Sequence, residues 1–400
     1  MSDRSSRRVQ AVKPSATMTI AARAIQLGRE GHDIASLSVG EPDFPVFPHV
    51  EQAVVEALRK GYTKYTASPG LVELREAISD WMERGVGLRW PTTQIIATAG
   101  AKQAIYNACQ AILDEGDEAI IPNPYWVSYP EMVKLAGARP VELELRSEDG
   151  WAPREEDLER AISARTRVVL IGSPSNPTGA VWSEQAIRGI ARVLARHPEI
   201  IVLSDDIYDK LVYGGAKAVN LLTVAPELAS RTILVNGCSK AYAMTGLRLG
   251  WACGPADLIA AMNKVQDAST SNPSSLSQHA AIAALRGPQQ PLEDMRVQFE
   301  KRRHLMVELL GKLPGVACHA PDGAYYVFAD VSGVLGKRRR GEKVATSVRL
   351  SELLLEEFGV AVVPGSAFGR DGYLRLSFAT SEAVIRKAVE RIGRAIAAME

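Results

Sequence analysis

The sequence has few cysteines, and it places them far apart. Cys109, Cys238, Cys253 and Cys318 form no Cys-x-x-Cys pair in the 400-residue chain. This spacing gives no metal or dithiol motif, so we expect no metal and four buried free thiols in a reducing compartment, the cytoplasm.

Long apolar runs and an excess of one charge are also absent. No stretch approaches the ~20 apolar residues of a membrane-spanning helix. Residues 1–10 are rich in Arg and Ser but lack the apolar centre of a signal peptide, and we expect a flexible arm over residues 1–14. The formal net charge is +1, which argues against nucleic acid or a membrane as a partner.

The middle of the chain alternates between apolar strands and amphipathic helices. Strands are predicted at Ile95–Thr98, Glu118–Ile121, Arg139–Leu145, Val168–Ile171, Ile200–Leu203 and Thr232–Val235. Helices are predicted between most of them, for example at Lys102–Leu113, Tyr129–Ala136 and Glu184–Arg196. This pattern indicates an α/β fold with a mainly parallel sheet covered on both faces. Ligands bind such sheets at the loops beyond the strand C-termini.

The two ends of the chain are predicted to differ from this pattern. Near the N-terminus we expect a helix capped by Ser15 or Thr17 and closed by Gly28 and Gly31, then a strand at Ile34–Val39. A long helix from about Pro291 to Leu310 leads to a smaller α+β domain. Its predicted elements are Tyr325–Ala329, Ala345–Phe358, Tyr373–Phe378 and Glu382–Met399, with a basic, solvated loop at 336–343.

The most informative stretch is centred on Lys240. This lysine follows an apolar strand and has no acidic neighbour in sequence. A desolvated lysine has a lowered pKa and can form a Schiff base. A loop lysine at the end of a strand is an equally good interpretation of the local sequence.

The run Ser-Lys-Ala-Tyr-Ala-Met-Thr-Gly-Leu-Arg-Leu-Gly around Lys240 resembles the cofactor-lysine motif of the class I aminotransferases. Matching motifs extend from about Ser15 to the C-terminus. The resemblance implies the aspartate aminotransferase-like fold (pyridoxal-phosphate fold type I), with a seven-stranded type of sheet. It implies an arm and part of the small domain at 1–46, a large cofactor domain at 47–290 and a small domain at 291–400. Lys240 would hold pyridoxal 5'-phosphate as a Schiff base.

The other needs of this cofactor are an anionic partner for its ring nitrogen, a phosphate anchor and a flat surface against its ring. Residues 204–208, Ser-Asp-Asp-Ile-Tyr, resemble the family's Ser-Asp-Glu-x-Tyr motif. This implies Asp205 at the ring nitrogen and Tyr208 at the ring hydroxyl, whereas Asp206 replaces the usual Glu and is expected to be structural. Asn176, in an Asn-Pro-Thr-Gly motif, is implied to contact cofactor and substrate.

The phosphate anchor is expected at Gly100-Ala101-Lys102, which opens a helix after a strand. Free backbone N–H groups and the helix dipole favour an anion there, and the resemblance adds Arg248. It further implies that Trp126 stacks on the ring. Tyr65 is implied to reach the phosphate across the interface of a homodimer with shared active sites. For both aromatic residues, core or interface packing is the alternative.

Substrate contacts follow from three further motifs. The resemblance places the substrate-carboxylate arginine at Arg375 and a loop glycine that closes over the substrate at Gly40. The run Ala-Gly-Ala-Lys-Gln resembles the aspartate/prephenate branch, where Lys102 meets the substrate's distal carboxylate; a lysine reaching solvent is the alternative. That branch also has a segment like Lys-Pro-Ser-Ala-Thr at 13–17. Its candidates for polar substrate contacts are Lys13, Ser15 and Thr17.

The expected reaction is ping-pong transamination from aspartate or glutamate to 2-oxoglutarate or oxaloacetate, with prephenate as a further acceptor. Three alternatives stay open. The first is an aminotransferase of broad, aromatic or alanine-type specificity. The second is a lyase or aminocyclopropane-carboxylate-type synthase on the same scaffold. The third is a cofactor-binding regulator, for which the about fourteen residues before the first helix leave no room for a DNA-binding segment.

Overall fold

A mixed seven-stranded sheet organises the larger part of the protein, in a computed structural model that describes residues 4–400. Its order is Ile95–Thr98, Gly250–Cys253, Thr232–Gly237, Ile201–Asp205, Thr166–Ile171, Glu118–Asn123 and Arg139–Glu144. Only Gly250–Cys253 runs antiparallel to its neighbours. The other strands are mutually parallel where they pair. The predicted α/β class with a mainly parallel sheet is therefore confirmed.

Helices cover the sheet and join its strands. In the first two-thirds of the chain they are Arg7–Gln10, Ala16–Arg29, Pro48–Arg59, Val72–Val86, Ala101–Ile112, Tyr129–Leu135, Glu155–Ala161, Glu184–Ala195, Leu221–Val224, Cys238–Ala241 and Ala256–Ser269. Ser275–Arg286, Gln290–Leu310, Ser347–Phe358 and Glu382–Ala397 follow. Short 3-10 turns lie at Thr92–Gln94, Ser147–Asp149, Pro226–Arg231 and Gly365–Phe368. Several of the strands are buried along their whole length, as expected for a sheet covered on both faces, among them Ile95–Thr98, Glu118–Asn123, Ile201–Asp205 and Thr232–Gly237.

A second, smaller layer is built mainly from the C-terminal residues. Val363–Pro364, Tyr373–Ser377 and Tyr326–Asp330 form an antiparallel three-stranded sheet in that order. Ala35–Ser36 pairs in parallel with Val360–Ala361, so the segment after the N-terminal helix packs against the C-terminal part of the chain. The predicted domain limits at residues 46 and 290 stay a prediction.

Several sequence predictions for local structure are wrong. The arm predicted over residues 1–14 contains a helical turn, Arg7–Gln10, in which the Ser6 hydroxyl oxygen accepts a hydrogen bond from the Val9 N–H; the first three residues of the arm lie outside the described part. The strand predicted over 34–39 is paired only at Ala35–Ser36. Gly28 lies within the helix Ala16–Arg29 and does not end it.

Two further predictions need correction. The basic segment 336–343 is a short hairpin, with Arg338–Arg339 paired to Glu342–Lys343. Cys318 is only half-buried, whereas the other three free cysteines are buried. No helix within residues 4–400 has the length and apolar character needed to span a membrane, and the same residues contain no His, Cys, Asp and Glu cluster suited to a metal.

Candidate active site

A cavity of about 510 Å³ lies at the carboxyl ends of the central strands. Asp205, the last residue of the strand Ile201–Asp205, lines it together with Ser239 and Lys240, which follow the strand Thr232–Gly237. Its walls come from residues 38–41, the strand Tyr373–Ser377 and the helix Ala16–Arg29. The predicted site residues that line it are Thr17, Gly40, Ala101, Lys102, Trp126, Asn176, Asp205, Tyr208, Lys240, Arg248 and Arg375.

Lys240 lies in a helical turn, Cys238–Ala241, that follows directly on the strand Thr232–Gly237. Its Nζ donates a hydrogen bond to the carbonyl of Gly40 at 2.7 Å. The residue is half-buried because it faces the cavity. Burial lowers the pKa of Lys240 from 10.5 to about 8. About a tenth of the amine is therefore uncharged at pH 7, far more than for an ordinary lysine, and this form is the nucleophile.

Asp205 ends the adjacent strand and is 6% exposed. Its Oδ2 accepts a hydrogen bond from the Tyr129 hydroxyl at 2.7 Å, and its Oδ1 accepts a longer one from the Ile207 N–H at 3.3 Å. Burial raises the pKa of Asp205 to about 6, while the Tyr129 hydrogen bond and the charge of Lys240 oppose the rise. Burial thus disfavours the charged form of Asp205, and a cationic group placed beside the carboxylate would stabilise that form.

Arg375 is the second buried charge at the cavity. It is 3% exposed, although alternation along a strand often directs such a residue to solvent. One guanidinium nitrogen donates to Asn176 Oδ1 at 3.2 Å and another to the Ser38 carbonyl at 2.7 Å. Its Nε is buried and has no partner among the described residues, so the guanidinium keeps hydrogen-bonding capacity that its protein contacts do not use.

The turn Gly100-Ala101-Lys102 forms a cradle for an anion. The helix Ala101–Ile112 has Gly100 at its N-cap, no side-chain cap and no acidic residue in its first turn. Its first N–H groups are therefore free of side-chain acceptors. The Arg248 guanidinium lies against the turn. It is so close that a Cβ added to Gly100 would come within 2.6 Å of the Arg248 Nη2. Gly100 also has φ +85°, which glycine adopts without strain.

Lys102 and Trp126 form one side of the cavity. The Lys102 amine lies 4.9 Å from the centre of the Trp126 ring, which packs edge-to-face against Tyr129 at 5.4 Å. Partial burial of the amine lowers the pKa of Lys102, and the charge of Arg248 adds to this effect, although the residue as a whole is exposed.

The structure does not bring every predicted residue to this cavity. Lys13 and Ser15 line a neighbouring cavity of about 710 Å³, which shares Lys102 and Arg248 with the first. Ser15 is connected to the first cavity through a 2.9 Å contact between its hydroxyl and that of Thr17. Tyr65 is 91% exposed and lines neither cavity.

Several site residues were missed by the sequence analysis. Tyr326 contacts the Tyr208 hydroxyl at 3.0 Å through its own hydroxyl, and its ring lies 4.3 Å from the Arg375 guanidinium. Tyr325 donates to the Gly40 carbonyl at 2.8 Å. Tyr129 holds Asp205. These three tyrosines are buried and belong to no local motif; Tyr129 begins a helix, Tyr326 begins a strand and Tyr325 precedes that strand. Their only signal was an unusual density of tyrosine at 325–326.

Comparison with known proteins agrees with this geometry. The family profile described as "Aminotransferase class I and II" matches residues 32–392. The aspartate aminotransferase of Geobacillus stearothermophilus is 45% identical over 391 residues, which are 97% of this chain and 98% of the relative. The aspartate/prephenate aminotransferase of Cereibacter sphaeroides is 45% identical over 382 residues, 95% and 96% of the two chains. A solved aspartate aminotransferase from Rhizobium meliloti superposes with a TM-score of 0.96, at 44% identity and 100% coverage of both chains.

Proposed function

The chain belongs to the class I and II aminotransferases, and from this premise we propose that it uses pyridoxal 5'-phosphate to transfer amino groups between acidic amino acids and 2-oxo acids. Aspartate and glutamate are the proposed donors, and oxaloacetate, 2-oxoglutarate and prephenate the proposed acceptors. The observation that carries the proposal is one cavity in which an amine with a lowered pKa, a buried carboxylate and a buried guanidinium meet.

The residues present fit the cofactor. Lys240 would hold it covalently, and Asp205 would pair with its ring nitrogen. The Gly100–Lys102 turn and Arg248 would hold its phosphate, since that helix start has neither a side-chain cap nor an acidic residue. Asn176 and Tyr208 border the same space, as does Trp126, whose ring would lie against the cofactor. When bound, pyridoxal phosphate supplies an electron sink that eases loss of a proton from the amino acid α-carbon.

The protein's own groups bind the substrate and move the proton. The Arg375 guanidinium, which lines the cavity, would bind the α-carboxylate, with Asn176 keeping it in orientation. Lys240, once free of the cofactor, would take the α-proton on its uncharged Nζ and pass it on to the cofactor. Gly40 leaves room at the cavity wall, where a Cβ would come within 2.8 Å of the Tyr326 hydroxyl.

The lowered pKa of Lys240 predicts how the cofactor-free protein captures pyridoxal phosphate. The uncharged amine is the reactive form, and its fraction rises with pH through about 8. The capture rate, followed by stopped-flow absorbance, should therefore rise with its midpoint near that pH. A midpoint near the ordinary lysine value of 10.5 would show that Lys240 is not desolvated in solution.

Acidic specificity is proposed to depend on Lys102. A cation at a helix N-terminus is unfavourable for the helix, and the Lys102 amine faces the cavity beside Arg248. We expect Lys102→Ser to lower kcat/KM for aspartate by about 10- to 100-fold, the loss of one charge-assisted contact. Alanine as donor should be nearly unaffected. An equal loss for both donors would make Lys102 structural and leave a broad-specificity enzyme.

We propose a cytoplasmic location, with which the four free thiols are consistent. We also propose a homodimer in which Tyr65 of each subunit completes the phosphate site of the other. Support for the dimer is the exposed Tyr65 side chain and the prevalence of two-fold dimers. Mixing inactive Tyr65→Ala and Lys240→Ala chains should restore about a quarter of wild-type activity, because half of the dimers are hybrid and each has one intact site. No recovery in hybrids confirmed by mass spectrometry would contradict shared sites.

The experiment that tests the proposed function is a panel of amino donors against oxaloacetate, 2-oxoglutarate and prephenate. The product amino acid is quantified against the donor consumed. Equal amounts of both, with aspartate and glutamate preferred, support the proposal. Ammonia release in place of amino transfer would favour a lyase on this scaffold.

A further inference from the structure

The loop 62–71 carries Tyr65 at its exposed surface and is anchored on both sides of it. On the N-terminal side, the Ser275 hydroxyl donates to the Tyr62 carbonyl at 2.7 Å. On the C-terminal side, Gln266 Nε2 donates to the Ser68 carbonyl at 2.8 Å. Between these anchors Tyr65 is 91% exposed. The chain therefore fixes a loop whose most prominent side chain has little contact with its own subunit.

Gln278 is the anchor nearest to Tyr65, and it holds the loop at two points. Its side chain is fully buried. Nε2 donates to the Thr66 hydroxyl at 3.0 Å and to the Pro273 carbonyl at 2.9 Å, and Oε1 accepts from the Leu71 N–H at 2.7 Å. One amide thus joins the residue after Tyr65 to the end of the loop. A buried amide without such partners would cost ~1–3 kcal/mol.

We propose that Gln278 is a positioning residue that holds the Tyr65 loop in the conformation needed to contact the phosphate bound in the partner subunit. The inference rests on the proposed function, because it assumes that Tyr65 serves the neighbouring site. Ordering a loop in advance removes an entropy cost that cofactor binding would otherwise have to meet. Gln278 therefore affects cofactor binding without touching the cofactor, and it does so in the other subunit.

The first test compares dissociation constants for pyridoxal phosphate, measured by titrating cofactor-free dimers and following fluorescence. Tyr65→Phe removes one hydrogen bond to a charged group, so binding should weaken by about 10- to 100-fold. Gln278→Met, similar in size but without the amide, should weaken it by about tenfold and never by more than Tyr65→Phe. The double variant should bind no more weakly than Tyr65→Phe, because both changes remove the same contact.

Two further variants separate positioning from a general loss of stability. Thr66→Val removes only the hydroxyl that Gln278 holds beside Tyr65, and it should weaken binding in the same direction even if Gln278→Met folds poorly. Thr232→Val removes another buried hydrogen bond, from the Thr232 hydroxyl to the Leu228 carbonyl at 2.9 Å, far in sequence from the loop. It should lower the melting temperature and leave the dissociation constant unchanged.

The decisive test uses tagged hybrid dimers in which one chain carries Lys240→Ala, so that the absorbance of the Lys240-bound cofactor reports one site. When Gln278→Met is in the Lys240→Ala chain, the reporting site receives Tyr65 from a loose loop and should bind about tenfold more weakly. When Gln278→Met is in the other chain, the reporting site should bind as in wild type. The inference would be overturned if the two hybrid dimers showed the reverse pattern or equal losses of affinity. It would also be overturned if the losses were additive in the double variant, or if Tyr65→Phe bound the cofactor as tightly as wild type. The donor and acceptor panel tests the proposed function independently of these outcomes.

Discussion

Replacing Lys240 by alanine should abolish transamination, with kcat reduced by at least about 10⁴-fold, and should remove the visible absorbance of the bound cofactor. The expected size combines the loss of the group that moves the α-proton, itself worth ~10²–10⁴-fold, with the loss of the covalent link to the cofactor. Cofactor binding itself should persist in weakened form, because the Gly100–Lys102 turn and Arg248 are unchanged. Steady-state kinetics and an absorption spectrum of the same preparation measure both effects.

The matched control is Lys264→Ala, which removes an exposed lysine from the helix Ala256–Ser269. This variant should keep wild-type activity and absorbance. A Lys240→Ala protein that transaminates at the wild-type rate would contradict the assignment of Lys240 and leave its lowered pKa without a functional explanation.

Replacing Asp205 by asparagine should lower activity and raise the stability of the cofactor-free protein. Activity should fall by about 10²–10³-fold, as for the loss of other preorganised electrostatic groups. The stability gain arises because burial raises the pKa of Asp205 from 3.8 to about 6. A shift of this size corresponds to at most about 3 kcal/mol of unfavourable desolvation, which asparagine does not bear.

The raised pKa of Asp205 also determines how the stability gain of Asp205→Asn should change with pH. Well below pH 3.8 the carboxyl group of Asp205 is protonated in both the folded and the unfolded state, so burial carries no charge penalty. Between 3.8 and about 6 the carboxyl group loses its proton first in the unfolded state, so the contribution of Asp205 to wild-type stability falls as the pH rises. The advantage of Asp205→Asn should therefore grow over this range and stay constant above it. Urea unfolding of both proteins at pH 5 and 7.5 measures the difference, and a variant that is both inactive and less stable at pH 7.5 would make Asp205 a structural residue.

The parallel part of the sheet could be predicted from sequence because its strands are buried on both faces. Runs such as Val168–Ile171 are continuously apolar, and this pattern needs no knowledge of the partner strand. Gly250–Cys253 was missed because Gly-Trp-Ala-Cys has no β-branched residue. Its position depends on close packing against the turn Gly100-Ala101-Lys102, where a Cβ on Gly250 would lie 2.3 Å from the Ala101 nitrogen.

The site residues that could be predicted from sequence are those that belong to local motifs. Lys240, Asp205 and Arg375 each lie in a recognisable run, and the structure gathers them at one cavity. Tyr129 and Tyr326 could not be found in this way, because their roles depend on contacts 76 and 118 residues away along the chain. Tyr65 is a different case, because its predicted contact is with a second subunit. A single chain therefore does not form the contact that would test this prediction.

The central claim, amino transfer by a ping-pong mechanism from an acidic donor, is tested most directly by a half-reaction. The protein saturated with pyridoxal phosphate is mixed with aspartate and no 2-oxo acid, and oxaloacetate is quantified. The account predicts up to one oxaloacetate per subunit, no ammonia, and then no further product until 2-oxoglutarate is added, when glutamate forms in equal amount and turnover resumes. Continuous formation of a keto acid and ammonia from aspartate without any acceptor would contradict it.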